Sequence, residues 1–114
     1  MKPSLVVRFY VASSGREPVR DWLMSLDRDA RRIIGTDIKT VELGWPLGTP
    51  LVRKMAPGLW EVRSHLPSGI ARVLFTVKDQ YLVLLHGFEK KSPKTPSSDL
   101  QTAMRRMKEI QDGD

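Results

Sequence analysis

The 114-residue chain carries 19 Lys and Arg against 13 Asp and Glu, for a formal charge of +6, with 40% hydrophobic residues and no cysteine. That length suits one domain spanning 1–114, and the apolar content excludes wholesale disorder. The missing thiols exclude disulfide scaffolds, Cys-ligated zinc and thiol nucleophiles, and suit a reducing cytoplasm. No apolar run approaches the roughly 18 residues of a membrane span, and Arg8 interrupts the short apolar stretch near the N-terminus, so neither a membrane partner nor a signal peptide is expected.

In chain order, Leu5 to Val11 is β-branched and aromatic and predicts a strand. Ser14 with Glu17 has capping-box spacing, and Pro18 is acceptable in the first helical turn that follows. Val19, Trp22, Leu23 and Leu26 form one apolar stripe. Asp27 is positioned to cap a second helix, whose stripe is Ala30, Ile33, Ile34, Ile38 and Val41 and which Gly44 and Pro46 stop. The two helices form an antiparallel hairpin. A short extended piece, Leu51 to Met55, precedes strands at Leu59–His65, Ile70–Val77 and Tyr81–Phe88. The loops Leu66–Gly69 and Lys78–Gln80 are short enough for hairpins. Ser98 with Gln101 opens a last helix bearing Leu100, Ala103, Met104, Met107 and Ile110 on one face. The order β-α-α-β-β-β-α predicts an α+β domain: a small antiparallel sheet, the helical hairpin on one face, and a C-terminal helix.

The charge excess is localised. Residues 51–96 hold eight basic and three acidic side chains, against eight and six in 1–50 and three and four in 97–114. Strand alternation places it further. Pairing Val62 with Val73 closes the first hairpin and sets Arg63 across from Arg72. Pairing Val77 with Tyr81 sets Val73 against Leu85, Phe75 against Val83 and Arg72 against His86. Trp60, Val62, Ala71, Val73, Phe75 and Val77 then face the helices. Arg63, Arg72 and His86 form a row on the reverse face, with Glu61 one step away. Adjacent arginines on one face repel each other and make sense around an anion, the alternative being that Glu61 neutralises Arg63 while Arg72 covers the sheet with its stem. Lys90, Lys91 and Lys94 line one rim of that face, where they can contact phosphates, and Phe88 can stack on a base. His65 reads as a solvated loop residue. Two histidines without carboxylates at ligand spacing make no metal site, and no phosphate-loop or dinucleotide fingerprint is present, so no cofactor is expected.

Several stretches carry a resemblance: Gly-Arg-x-Pro-Val at 15–19, Gly58-Leu59-Trp60-Glu61-Val62-Arg63, Gly69 with Arg72-Val73, and Leu84-Leu85-His86-Gly87-Phe88-x-Lys90-Lys91-x-x-Lys94-Thr95-Pro96, followed by a helix with Ala103 and Arg106. Over nearly its whole length the chain is similar to the HigB-like, phage-derived branch of the RelE/ParE toxin superfamily. The resemblance implies the toxin of a type II toxin–antitoxin system: a metal-independent mRNA interferase, an endoribonuclease acting on mRNA at the translating ribosome, neutralised by a cognate helix-turn-helix antitoxin. It places the family's strand arginine on Arg72, further site residues on Glu61 and Arg63, and basic residues after the last strand on Lys90 and Lys91. The chain departs from the RelE pattern in lacking a tyrosine after the last strand and in having Glu61 where that branch tends to have lysine.

The chemistry so implied is attack of an RNA 2′-OH on the adjacent phosphorus. Arg72 and Arg63 would stabilise the charge on phosphate, Lys90, Lys91 and Lys94 would hold flanking phosphates, and Glu61 or His86 would move the proton. On that placement Arg72→Ala is expected to abolish toxicity with folding intact. Two other classes fit the same superfamily fold: a ParE-like protein that inhibits gyrase by contact, and a non-catalytic module that binds RNA or the ribosome.

Overall fold

A computed structural model of the protein describes residues 5–90 and 94–113. Among them β1 (Val6–Phe9), α1 (Pro18–Ser25), α2 (Arg28–Gly44), β2 (Val52–Ala56), β3 (Leu59–Leu66), β4 (Gly69–Lys78), β5 (Tyr81–Lys90) and α3 (Ser97–Asp112) form an α+β fold. It is consistent with the RelE-like architecture expected. The strands form one sheet in the order β1-β5-β4-β3-β2. Four strands are antiparallel, but β1 runs parallel to β5, with Val6 beside Tyr81 and Phe9 beside Leu84. The sheet is therefore mixed. Parallel pairing requires a crossover, and the helical hairpin lies in the long connection between the two strands.

Local chemistry explains the helix ends, with two corrections. Asp27 caps α2 as expected, its carboxylate accepting from the Ala30 amide at 2.8 Å. Neither capping box forms. Glu17 is the residue before α1 and makes no side-chain cap, while Ser14 lies in the preceding turn and accepts weakly from the Arg16 amide. Pro18 already supplies a helical φ at the first position. At α3, Pro96 is the residue before the helix, and Gln101 bonds the Ser97 hydroxyl rather than Ser98.

The sheet separates two apolar layers. On one side Val19, Ile34, Ile38 and Val41 of the helical hairpin pack on Val62, Ala71, Val73, Phe75, Leu82 and Leu84. Trp45 closes this layer edge-on against Trp60, with ring centroids 4.8 Å apart. On the reverse side Ala103 and Met107 of α3 cover Tyr10, Leu59, Leu74, Val83, Leu85 and Phe88. Val83 and Leu85 were expected beneath the helical hairpin, and they face α3 instead.

The cause is the register of β5. The first hairpin is as predicted, with Val62 beside Val73 and Arg63 beside Arg72. In the second, Asp79 takes a left-handed φ of 56°, a conformation Asp tolerates better than most residues. The turn tightens to two residues and Lys78 pairs with Tyr81. Every residue from Tyr81 to Leu84 is thereby one place from its expected partner, which exchanges the faces. An irregularity then inserts Leu85, so that His86 sits beside Leu74, Gly87 beside Val73 and Phe88 beside Arg72. The second shift restores His86 and Phe88 to the reverse face.

Candidate functional site

The reverse face divides into a covered part and an open end. Its centre is Glu61, fully buried on β3. Glu61 Oε1 lies 3.5 Å from Arg63 Nε and 3.8 Å from Arg72 Nε, and Arg53 of β2 is its partner across the strands. The other carboxylate oxygen accepts from the Thr95 hydroxyl, in the segment leading to α3. Arg72 is as buried as Glu61, with its guanidinium carbon 5.8 Å from the centre of the Phe88 ring. Burial draws the Arg72 pKa below its ordinary value; Glu61 opposes this, while Arg63 and Arg53 act with burial. Arginine remains charged regardless, because it starts so far above neutrality. Removing such charges from water is expensive unless they are paired, and Glu61 provides the compensating charge for this cluster.

Some predicted site residues come together here and others do not. Glu61, Arg63 and Arg72 are neighbours, and Arg63 is the one that reaches solvent. Lys90 is exposed at the end of β5, beside Ile70 and near the β3–β4 turn. Lys94 is exposed just before Thr95, and Lys91 lies outside the described residues. Phe88, expected as a base-stacking platform, is buried in the layer under α3. Its ring packs beside the Arg72 guanidinium beneath that helix, so it is core here.

His86 also differs from expectation. It does not oppose Arg72. Its Nε2 is 2.6 Å from Asp99 Oδ1 in the first turn of α3, and Nδ1 is 3.5 Å from Arg106 Nη1. Both ring nitrogens are thus directed at α3. Arg106 also donates to the carbonyl of Leu85, the inserted residue, at 2.8 Å. Its guanidinium sits 5.1 Å from the Tyr10 ring centre, and burial again draws its pKa down. Tyr10 donates to Glu109 at 2.8 Å. Lys78 donates to the carbonyls of Ile110 and Gly113, both at 2.8 Å, which satisfies the C-terminal end of α3. The helix is thus fastened to the reverse face by polar contacts along its length as well as by its apolar stripe.

Asp99, Thr95 and Arg53 are partners that sequence reasoning did not find. Asp99 meets His86 only because α3 folds back, and no local spacing encodes that. Thr95 was visible as part of the Lys-Thr-Pro stretch but had no assigned contact. Arg53 was legible from alternation on β2, had that piece been paired with β3. His65, expected to be solvated at the loop, is exposed and belongs to β3, which runs one residue past it.

Among the described residues no group of three His, Asp or Glu side chains converges as metal ligands do, and no helix is long and apolar enough to cross a membrane. The model of one protein family, described as phage-derived protein Gp49-like (DUF891), matches residues 21–108. No curated protein matches the chain.

Proposed function

The chain belongs to the phage-derived Gp49-like protein family, and from that membership we propose that it is the toxin of a type II toxin–antitoxin pair, cutting mRNA at the ribosome as an endoribonuclease. The observation that carries the proposal is the Arg63–Arg72 rung. Two guanidinium groups stand side by side on one sheet face, sharing Glu61, in the part of the chain where basic residues most outnumber acidic ones. Such a pair is matched to the charge that builds on a phosphate as a 2′-oxygen attacks it. Arg63 is the solvent-accessible member and meets the phosphate first, with Lys90 and Lys94 on flanking phosphates. Glu61, engaged through both oxygens, holds the arginines in place, so the proton transfer falls to another group.

The cognate partner in this proposal is a helix-turn-helix antitoxin that neutralises the protein. The test is induced expression with and without the neighbouring gene, followed by mapping of mRNA 5′ ends. Growth arrest with new internal ends, relieved by the neighbouring gene and lost in Arg63→Ala at equal expression, is the expected outcome. Intact mRNA sinks the proposal. The burial of Glu61 and Arg72 favours one rival, a non-catalytic module that binds RNA or the ribosome. That rival gives ribosome binding without new 5′ ends.

A further inference from the structure

The geometry points to His65 as the general base of the proposed cleavage. This rests on the endoribonuclease reading and assigns the proton transfer that the buried cluster leaves open. Among the described residues of the reverse face, three carboxylate or imidazole side chains of the strands are candidates to take a proton from a 2′-OH near Arg63. Glu61 is fully buried, faces both Arg63 and Arg72 through one oxygen, and accepts from Thr95 through the other. His86 has Nε2 against Asp99 and Nδ1 facing Arg106, beneath a helix fastened at both ends. His65 is different. It lies two residues from Arg63 on β3, and alternation puts the two on one face of the strand. It is exposed, whereas Arg63, the next residue inward on that face, is half-buried and Glu61 beyond it is fully buried.

The pairing extends this into a surface. His65 lies beside Ile70 on β4, and Ile70 lies beside Lys90 on β5. The next row inward on this face is Arg63, Arg72 and Phe88. The open end of the face therefore presents an imidazole and an ammonium on its outermost row, with the half-buried Arg63 behind them. Among the described residues, the charged groups that the register sets on this face in His65's row or the next are Arg63 of its own strand, Arg72 of β4 and Lys90 of β5. Glu89 alternates to the opposite face, where it accepts from Ser68. A phosphate held at Arg63 would lie within a side chain's reach of His65, as an acid–base group requires.

In the step assigned, neutral His65 takes the proton of the 2′-OH as the 2′-oxygen bonds to phosphorus. The bond from phosphorus to the 5′-oxygen breaks, and water protonates that oxygen. The products are a 2′,3′-cyclic phosphate and a 5′-hydroxyl, and the imidazolium returns its proton to solvent.

The experiment measures single-turnover cleavage of a defined mRNA on programmed ribosomes, from about pH 5.5 to 8.5, across the range in which imidazoles titrate. Wild type is compared with His65→Gln, His65→Ala and the exposed control Lys39→Gln. The expected result is a wild-type rate that falls toward acid pH and a His65→Gln rate lower by about 10²–10⁴-fold with that acid limb gone. His65→Ala should regain activity when imidazole is added, and Lys39→Gln should match wild type. Cleavage by wild type with an unchanged rate in His65→Gln, or a slower rate that keeps the acid limb, overturns the assignment and leaves the function standing. No cleavage by wild type overturns both.

Discussion

Glu61 and Arg72 show how one residue's surroundings decide what its substitution does. From alternation alone Arg72 looks like a face residue that could be removed without harm. It is instead fully buried beside Phe88 and a carboxylate that is equally buried. Truncating it takes from buried Glu61 one of its two close guanidinium partners, and breaking a buried pair from one side typically costs about 3–5 kcal/mol. Arg72→Ala is therefore expected to lower the urea midpoint sharply, so that lost toxicity in that variant says nothing about catalysis. Arg63→Ala, at a half-buried position that leaves Glu61 its contacts with Arg72 and Thr95, should lower the midpoint less than Arg72→Ala does. Tyr10 gives a second residue-scale prediction. Burial raises its phenol above the ordinary value, aided by the hydrogen bond to Glu109 and that carboxylate's charge, and opposed by Arg106 and Arg105. A raised folded pKa means the neutral phenol is preferred in the fold. Its contribution is complete below the unfolded pKa of about 10 and is lost as the pH climbs through the folded value. Denaturant melts should show stability falling above about pH 10 in wild type, with a shallower fall in Tyr10→Phe.

At the scale of elements, the strands were legible because their β-branched runs and turn residues are local signals. The register of β3 on β4 was legible because a four-residue loop leaves one natural closure. The register of β5 was not, because it depends on the left-handed Asp79 and on the inserted Leu85, and neither leaves a pattern in hydrophobicity. The error ran through the element: Val83 and Leu85 exchanged layers with Leu82 and Leu84. Arg106 shows what holds the irregularity, since its donor reaches the Leu85 carbonyl from another element. Gly87, just beyond, is fixed from the opposite side. A Cβ built there would lie 2.4 Å from Cε3 of Trp22, so α1 presses its indole directly onto the β5 backbone. Gly87→Ala forces the strand or the helix to shift, at a typical overpacking cost of about 1–3 kcal/mol. Pairing it with Trp22→Leu should recover part of that loss, and a double-mutant cycle in thermal unfolding would measure the coupling. Strict additivity would mean that the indole does not set the glycine requirement.

Across the whole molecule, the two-layer arrangement determines how much of the candidate site could be foreseen. The charge excess in residues 51–96 and the Arg63–Arg72 rung are properties of neighbouring strands, and composition with alternation reached them. That the face is roofed by α3 is a property of the assembled fold. The apolar stripe of that helix announced that it packs on something without saying on what, and the burial of Phe88, Glu61 and Arg72 follows from that docking. Ala103 packs in this layer with no exposed surface. Enlarging it to leucine should lift α3 from the sheet, uncover Leu74, Leu85 and Phe88, and increase binding of a hydrophobic dye while far-ultraviolet dichroism remains near native. A variant that binds no dye and melts as wild type would mean that the helix tolerates the added volume in place.

The parallel strand at the sheet edge has a consequence for how the chain comes into being. β1 is synthesised first, yet its neighbour begins at Tyr81, and Tyr10 finds its hydrogen-bond acceptor at Glu109. Contacts so distant in sequence form late and slowly. The chain must emerge past Tyr81 before β1 has a partner to join, and the reverse face is assembled and roofed only once α3 follows. During vectorial synthesis the Arg63–Arg72 rung can therefore pair in its hairpin well before anything covers it. The interval between those two events is set by the distance along the chain from β4 to α3.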